Sequence, residues 1–565
     1  MMPVMSPLDE SSCHSHAATG DGLADLVITD ADIYLNDQPR GWARGLAIKD
    51  GRIQQVVADP TDLKDRIGSA TEVLSMPGRL IIPGFQDAHI HAPFAGRNRL
   101  RIFLNDLEGR HSYLDAIATY AAANPDEPWI VGGGWAMEYF PGGLPVKEDL
   151  DAIVPDRPVF LFNRDVHGAW VNSKALELAG ITKDTVDPFD GRIERDPQTG
   201  EPTGMLHEGP AYTLNDTVIP APSREEWEAA ILNAQEHLHS LGITAWQDAW
   251  LTPGTHSAYR SLAESGTLTA RVVGALWWDR HQELEQIPEF LAQRESGVVG
   301  NFNATSIKIM TDGVLENFTG ALLEPYCDGC GGHTDNHGLS YVERDLLAAA
   351  VTELDRHGFQ VHMHAIGDRA VRNALDAVAA ARSANGMNDL RHHIAHIQIV
   401  QPEDVPRFAE LGVIANCQPY WAQMEPQMEE LTLPFLGRER SDLQYPFGDL
   451  MRSGARLAGG SDWSVTTANP LEEIEVMVNR IDPENRHNAP FLPEQRVPLD
   501  AAIAAFTSGT AYINHDEQES GRIQQGMRAD LAVVDQNFFN DNADPIAEAS
   551  VELTICSGQV VYSKQ

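Results

Sequence analysis

Cysteine is scarce in this chain. There are five in 565 residues, at Cys13, Cys327, Cys330, Cys417 and Cys556. That is too sparse for a disulfide framework. Only Cys327 and Cys330 lie close, as Cys-Asp-Gly-Cys. Without a second pair or a thioredoxin-like context they read as incidental loop cysteines. Positive charge is scarce as well: 41 Lys and Arg face 82 Asp and Glu, a formal net charge of -41. Such a surface repels phosphate backbones and argues against nucleic acid as a partner. It also favours solubility. No stretch of about 18 apolar residues exists, so no membrane span is expected. A Gly-rich phosphate loop and clustered arginines are missing, which disfavours phosphorylated substrates. Residues 1–22 lack the basic start and apolar core of a secretory signal and are expected to be a disordered tail. A cytoplasmic location is the matching expectation for a free-thiol chain of this kind.

A hydrophobic fraction of 42% with 11 Trp suits a large buried core. The length points to two or more substructures. Short strands are expected from Leu23 to Met76, separated by turns such as Lys49-Asp50-Gly51. The C-terminal region resembles them, with apolar runs at Ala529–Asp535 and Leu553–Tyr562. Residues 23–79 and 516–565 are therefore expected to form one small β-sandwich domain from both chain ends.

Between them, strand-length apolar runs alternate with helical stretches. Eight strand candidates stand out: Leu80–His91, Gly242–Gln247, Arg271–Leu276, Thr305–Met310, Gln360–His364, His392–Ile397, Val413–Cys417 and Arg456–Gly460. Helices are expected at Arg344–His357 and Ala370–Asn385, among others. The fold class is thus α/β. Eight such units predict a (β/α)8 TIM-type barrel over residues 80–515, with a doubly wound sheet as the rival. The stretch from about Arg97 to Pro222 is too long for one loop. It reads as an inserted subdomain after strand 1, near the barrel mouth.

The first strand candidate ends in Pro83-Gly84-Phe85-Gln86-Asp87-Ala88-His89-Ile90-His91. Alternation puts Asp87, His89 and His91 on one face, where two imidazoles can hold a metal. Lys308 sits inside an apolar strand candidate, a costly place for an ammonium group, in a chain with seven lysines. His364, His396 and Asp462 fall at the ends of strands five, six and eight, where barrel active sites lie.

This order of residues resembles the amidohydrolase superfamily, closest to the branch that contains N-substituted formamide deformylase. The resemblance runs over nearly the whole chain. It includes the Pro83–His91 motif, Lys308–Gly313, His364–Arg369, His396–Gln398, Gln418-Pro419, Ser461-Asp462-Trp463 and Gly526–Asp535. The insert matches at Gly132–Trp135, Asn163–Leu176 and Gly191–Leu206. The resemblance implies that His89, His91 and Asp462 bind one metal and His364 and His396 a second. Lys308 would bridge them as a carbamate formed from its neutral amine and carbon dioxide. One or two divalent ions are implied, zinc first, with other transition metals allowed. A water activated by the metal would attack a carbon–nitrogen bond, and Asp462 would shuttle its proton. One departure is Ala395, where relatives often carry an acid.

His167 lies in a segment resembling the family's substrate-facing loop and is expected to donate a hydrogen bond to the substrate. Trp135, Trp421 and Trp463 are expected to line the site, which suits a small apolar substrate. An N-substituted formamide is the best single guess. A heterocyclic amine deaminase is the alternative, disfavoured because Ala365-Ile366-Gly367-Asp368 contains no glutamate. A non-catalytic scaffold relative would be expected to have lost ligand positions, and all six are filled. A homodimer is an open option.

Overall fold

The computed structural model describes residues 22–37, 40–540 and 542–564. Apart from Gly22, the expected tail lies outside these residues, Cys13 included. Among the described residues no helix is long and apolar enough to cross a membrane.

Eight parallel strands form the centre: β1 (Phe85–Ile90), β2 (Ile243–Leu251), β3 (Arg271–Trp277), β4 (Phe302–Met310), β5 (Gln360–Ala365), β6 (His393–His396), β7 (Ile414–Cys417) and β8 (Leu457–Gly459). Each is hydrogen-bonded to the next in chain order. Sequential order without a reversal is a barrel, not a doubly wound sheet. The seam between β8 and β1 is closed just beyond the strand end. Asp462 N–H donates to His89 O at 2.7 Å, and His91 N–H to Trp463 O at 2.9 Å. The strands are buried along nearly their whole length, as parallel strands covered on both faces must be. The helix Arg344–Arg356 packs its buried Leu347, Val351 and Leu354 into the barrel core, beside the helix Asp368–Asn385. Apolar residues at three- and four-residue spacing in both explain the match with the sequence pattern.

The first strand candidate, Leu80–His91, is two strands. Leu80–Pro83 pairs antiparallel with Leu531–Val534, and only Phe85–Ile90 joins the barrel. Gly84 is the crossing point: its N–H reaches Asp530 O at 2.8 Å, and Phe85 N–H reaches Gly242 O at 3.0 Å. A Cβ at Gly84 would lie 2.5 Å from the Thr244 side chain, so the close approach requires glycine. Periodicity cannot see this break, because both halves are equally apolar. Leu80–Pro83 is also the strand that joins the two chain ends. It links Leu26–Tyr34, Trp42–Lys49 and Arg52–Val57 to Leu531–Val534, Val551–Cys556 and Gln559–Ser563 in one continuous sheet of eight strands, counting Glu72–Ser75. Ile28, Ile33, Ile81, Leu531 and Ile555 share its core.

Between β1 and β2 the chain builds a separate six-stranded sheet from Ile102–Phe103, Ile130–Trp135, Val159–Asn163, Gly168–Val171, Gly191–Arg195 and Pro202–Glu208. The turn between Asn163 and Gly168 and the end of the last strand carry the side chains that meet the barrel.

Candidate metal centre

At the C-terminal end of β1, His89 and His91 point toward the loop that follows β8. His89 Nε2 lies 3.2 Å and His91 Nε2 3.0 Å from Asp462 Oδ1. Potential ligand atoms of these three residues all lie within 4.8 Å of one another. His89 Nε2 and Asp462 Oδ1 are buried and have no hydrogen-bond partner among the described residues. Three converging ligand residues, two of them with orphaned acceptor atoms, are what a divalent cation needs. His396 and Asp462 both adopt left-handed backbone angles, φ 71° and 58°. Such conformations are costly for non-glycine residues and recur at functional sites.

His89 is held by a relay that starts at the backbone. Gln360 Nε2 donates to the carbonyls of Arg391 and Ile513 at 3.1 and 2.8 Å, leaving its Oε1 as an acceptor. Gln247 Nε2 donates to that Oε1 at 3.0 Å and to Asn514 Oδ1 at 2.9 Å. Gln247 Oε1 therefore faces His362 Nδ1, 2.7 Å away, and His362 Nε2 lies 2.7 Å from His89 Nδ1. Burial first, and neighbouring positive charges second, hold His89 and His362 well below the usual imidazole range, so both rings are neutral. His362 then donates to Gln247 and accepts from His89, and His89 Nε2 presents a lone pair to the site.

His364 has its own support. Its Nδ1 is 3.1 Å from Asp312 Oδ1, and Asp312 accepts the backbone N–H groups of Ala321, Ile366 and Gly367. His396 N–H donates to Gln418 Oε1 at 2.6 Å, and His396 Nδ1 stands 3.9 Å from Asp462 Oδ2. Asp87 is not in the cluster of converging donors. Its Oδ1 accepts the N–H groups of His89 and Ser461 and ties β1 to the β8 loop.

Lys308 is 1% exposed and lines the same chamber as His89, His91, His364, His396 and Asp462. Burial pulls its amine down to about 7, so much of it is neutral near neutrality. The insert closes the chamber with Asp165, Val166 and His167. His167 Nδ1 lies 2.9 Å from Glu208 Oε1, which also accepts from Thr319 Oγ1 at 2.8 Å. Burial alone would depress the His167 imidazole, but the charge and hydrogen bond of Glu208 outweigh it and push it up to about 9.

The three tryptophans expected around the site separate. Trp421 lines the space that adjoins the chamber and shares His364, His396 and Asp462 with it. Trp135 does not: it is fully buried in the core of the insert, with Nε1 donating to Leu161 O at 2.9 Å. A register shift between Gly133 and Trp135, with Gly134 at φ 101°, breaks the alternation and puts Trp135 in the core of Ile130 rather than that of Val131. Trp463 is spent on the seam, where its ring packs 4.9 Å from that of His237 and its carbonyl accepts from His91 N–H. Trp250 and Trp277, at the ends of β2 and β3, line the chamber instead. Sequence reasoning also passed over Asp312, Glu208, Asp165 and the relay through His362. Asp312 lies inside the matched Lys308–Gly313 stretch and Glu208 just past Gly191–Leu206, which is where a signal was available.

A profile of the amidohydrolase family matches residues 72–562. The chain belongs to the amidohydrolase family. This amidohydrolase is 29% identical over 575 residues to the Arabidopsis thaliana protein LONG AFTER FAR-RED 3, covering 99% of this chain and 95% of that one. It is 25% identical over 561 residues to N-substituted formamide deformylase of Arthrobacter pascens, covering 96% and 99%. Among solved structures, an uncharacterized metal-dependent hydrolase from Pyrococcus horikoshii OT3 superposes with a TM-score of 0.71 at 23% identity, over 95% of this chain and 100% of that one. That likeness concerns the fold.

Proposed function

We propose that this amidohydrolase hydrolyses the carbon–nitrogen bond of a small neutral amide, with N-substituted formamides as the first class to examine. The observation that carries the reading is the convergence of His89 Nε2 and Asp462 Oδ1, buried and without partners among the described residues, beside a buried Lys308. The 25% identity to a formamide deformylase over nearly the whole chain supports the substrate class.

In this reading His89, His91 and Asp462 hold one divalent ion, zinc first, and His364 and His396 stand ready for a second. The neutral Lys308 amine would take up carbon dioxide, releasing a proton, and the resulting carbamate would supply the site with an anionic ligand. A cation held by these residues would supply an activated water, its pKa lowered to about 7, and polarisation of the scissile carbonyl. The Asp462 carboxylate, through its other oxygen, would take the proton of the attacking water and return it to the leaving nitrogen. His167, kept protonated by Glu208, donates to the oxygen on which charge develops.

An apolar cleft of about 450 Å³ borders the chamber and shares His91, Trp250 and Trp277 with it. Phe94 stacks against Trp250 at 5.7 Å between ring centroids. Such a wall suits an apolar or aromatic substituent. The test is a panel of N-alkyl and N-aryl formamides and acetamides with metal-loaded protein, following amine release. Amine release from at least one member supports the reading. Silence across the panel with full metal occupancy overturns it.

A further inference from the structure

A second cleft, of about 640 Å³, meets the space that adjoins the chamber at His364, His396 and Asp462. The two share Trp421 and Val465 as walls. Val465 adjoins the metal centre directly, its N–H donating to Asp462 O at 2.7 Å. The Asn163–Gly168 turn divides the spaces: Arg164 lines the cleft, while Asp165 and His167 line the chamber.

This cleft is more polar and more acidic than the Trp250 cleft, whose own lining holds Asp216, Asp248, Asp279 and Glu289 against Arg97. It is lined by seven carboxylates, among them Glu108, Glu138, Glu425, Asp482 and Glu484, against two guanidiniums, Arg99 and Arg164. Arg164 is already shared, 3.3 Å from Glu138 and 3.9 Å from Glu425, and sits over the Trp421 ring. Acidic residues alone would be unremarked in so acidic a chain. Two buried acceptors distinguish the place. Glu138 Oε2, on a side chain 9% exposed, and Gln423 Oε1, on a residue 1% exposed, have no hydrogen-bond partner among the described residues. A buried acceptor without a donor carries an uncompensated desolvation cost. Tyr139, Tyr420 and Trp421 add aromatic faces to the same walls. Carboxylates, orphaned acceptors and aromatic faces together recognise a cation that carries N–H donors.

We propose that this cleft is a subsite for a cationic, N–H-bearing group of the substrate, an ammonium or guanidinium, reached past Trp421 and Val465. The amide itself stays neutral, and the cation is carried with the apolar group on its substituent. The assignment of the cleft to substrate rests on the hydrolytic reading, whereas its preference for a cation does not.

Benzylguanidinium and benzylurea test it, because they share shape and N–H donors and differ in charge. Calorimetric titration of the metal-loaded protein at low ionic strength is expected to show the guanidinium binding at least about tenfold more tightly. The margin should fall at high salt. Glu138→Gln and the exposed-rim variant Glu484→Gln should each reduce the margin by about threefold or more, with Glu353→Gln on the outer helix as the unaffected control. The rim variant keeps the test decisive if Glu138→Gln fails to fold. Equal affinities for the two probes, or a margin that survives both cleft variants, overturn the proposal. Neither outcome involves turnover, so a failure of the formamide panel is a separate result.

Discussion

His89 Nδ1 and His362 Nε2 stand 2.7 Å apart, and this contact decides which nitrogen of His89 faces the metal centre. His362 shares its strand face with His364 and has the residue type of a ligand. The relay from Gln360 through Gln247 consumes both of its nitrogens, so it positions a ligand and cannot be one. His362→Ala is expected to lower metal affinity by about 10–100-fold with the helical circular dichroism signal unchanged. A chelator-competition titration measures this, and wild-type affinity in the variant would remove the relay from the account.

The seam makes a second prediction. A Cβ at Gly460 would lie 2.6 Å from His89 N and 2.8 Å from His89 Cβ. Backbone cannot yield there as a side-chain tip can. Gly460→Ala should cost roughly 1–3 kcal/mol in urea unfolding and weaken metal binding as well. A variant with normal stability and normal metal content would show that the seam is not a tight support.

Lys308 carries a third. Its amine is buried and partly neutral, the form that reacts with carbon dioxide. Metal reconstitution of stripped protein should therefore depend on bicarbonate. Lys308→Ala should lose metal and nearly all activity. Full reconstitution in bicarbonate-free buffer would leave Lys308 without the carbamate role.

Much of this was legible in sequence because the chemistry is carried by strand ends. The short apolar runs marked the barrel strands, and the residues that interrupt them, His89, His91, Lys308, His364 and His396, stand out against apolar neighbours. What was not legible depends on tertiary placement. Leu80–Pro83 is as apolar as the barrel strand after it, so nothing local assigns it to another sheet. Trp135, Trp421 and Trp463 look alike in sequence, yet one packs the insert, one lines the space that adjoins the chamber and one closes the seam. Glu208 and His167 are 41 residues apart and meet only because the insert folds back on itself.

That pair predicts a pH dependence. The His167 imidazole is raised from 6.5 to about 9, chiefly by Glu208 acting against burial. A raised histidine contributes stability that is fully present below the unfolded value and is lost as pH rises through the folded one. The stability difference between wild type and Glu208→Gln should therefore be largest below about pH 6.5 and shrink as pH approaches about 9 and above. Urea unfolding across this range reads it, and a difference that grows with pH would contradict the pairing.

The central claim is a metal held by His89, His91 and Asp462. Elemental analysis of protein purified without chelator tests it most directly, with Asp462→Ala alongside. At least one divalent transition-metal ion per chain is predicted for the wild type and close to none for the variant. A wild type that stays empty after reconstitution, or a variant that keeps its full complement, would contradict it.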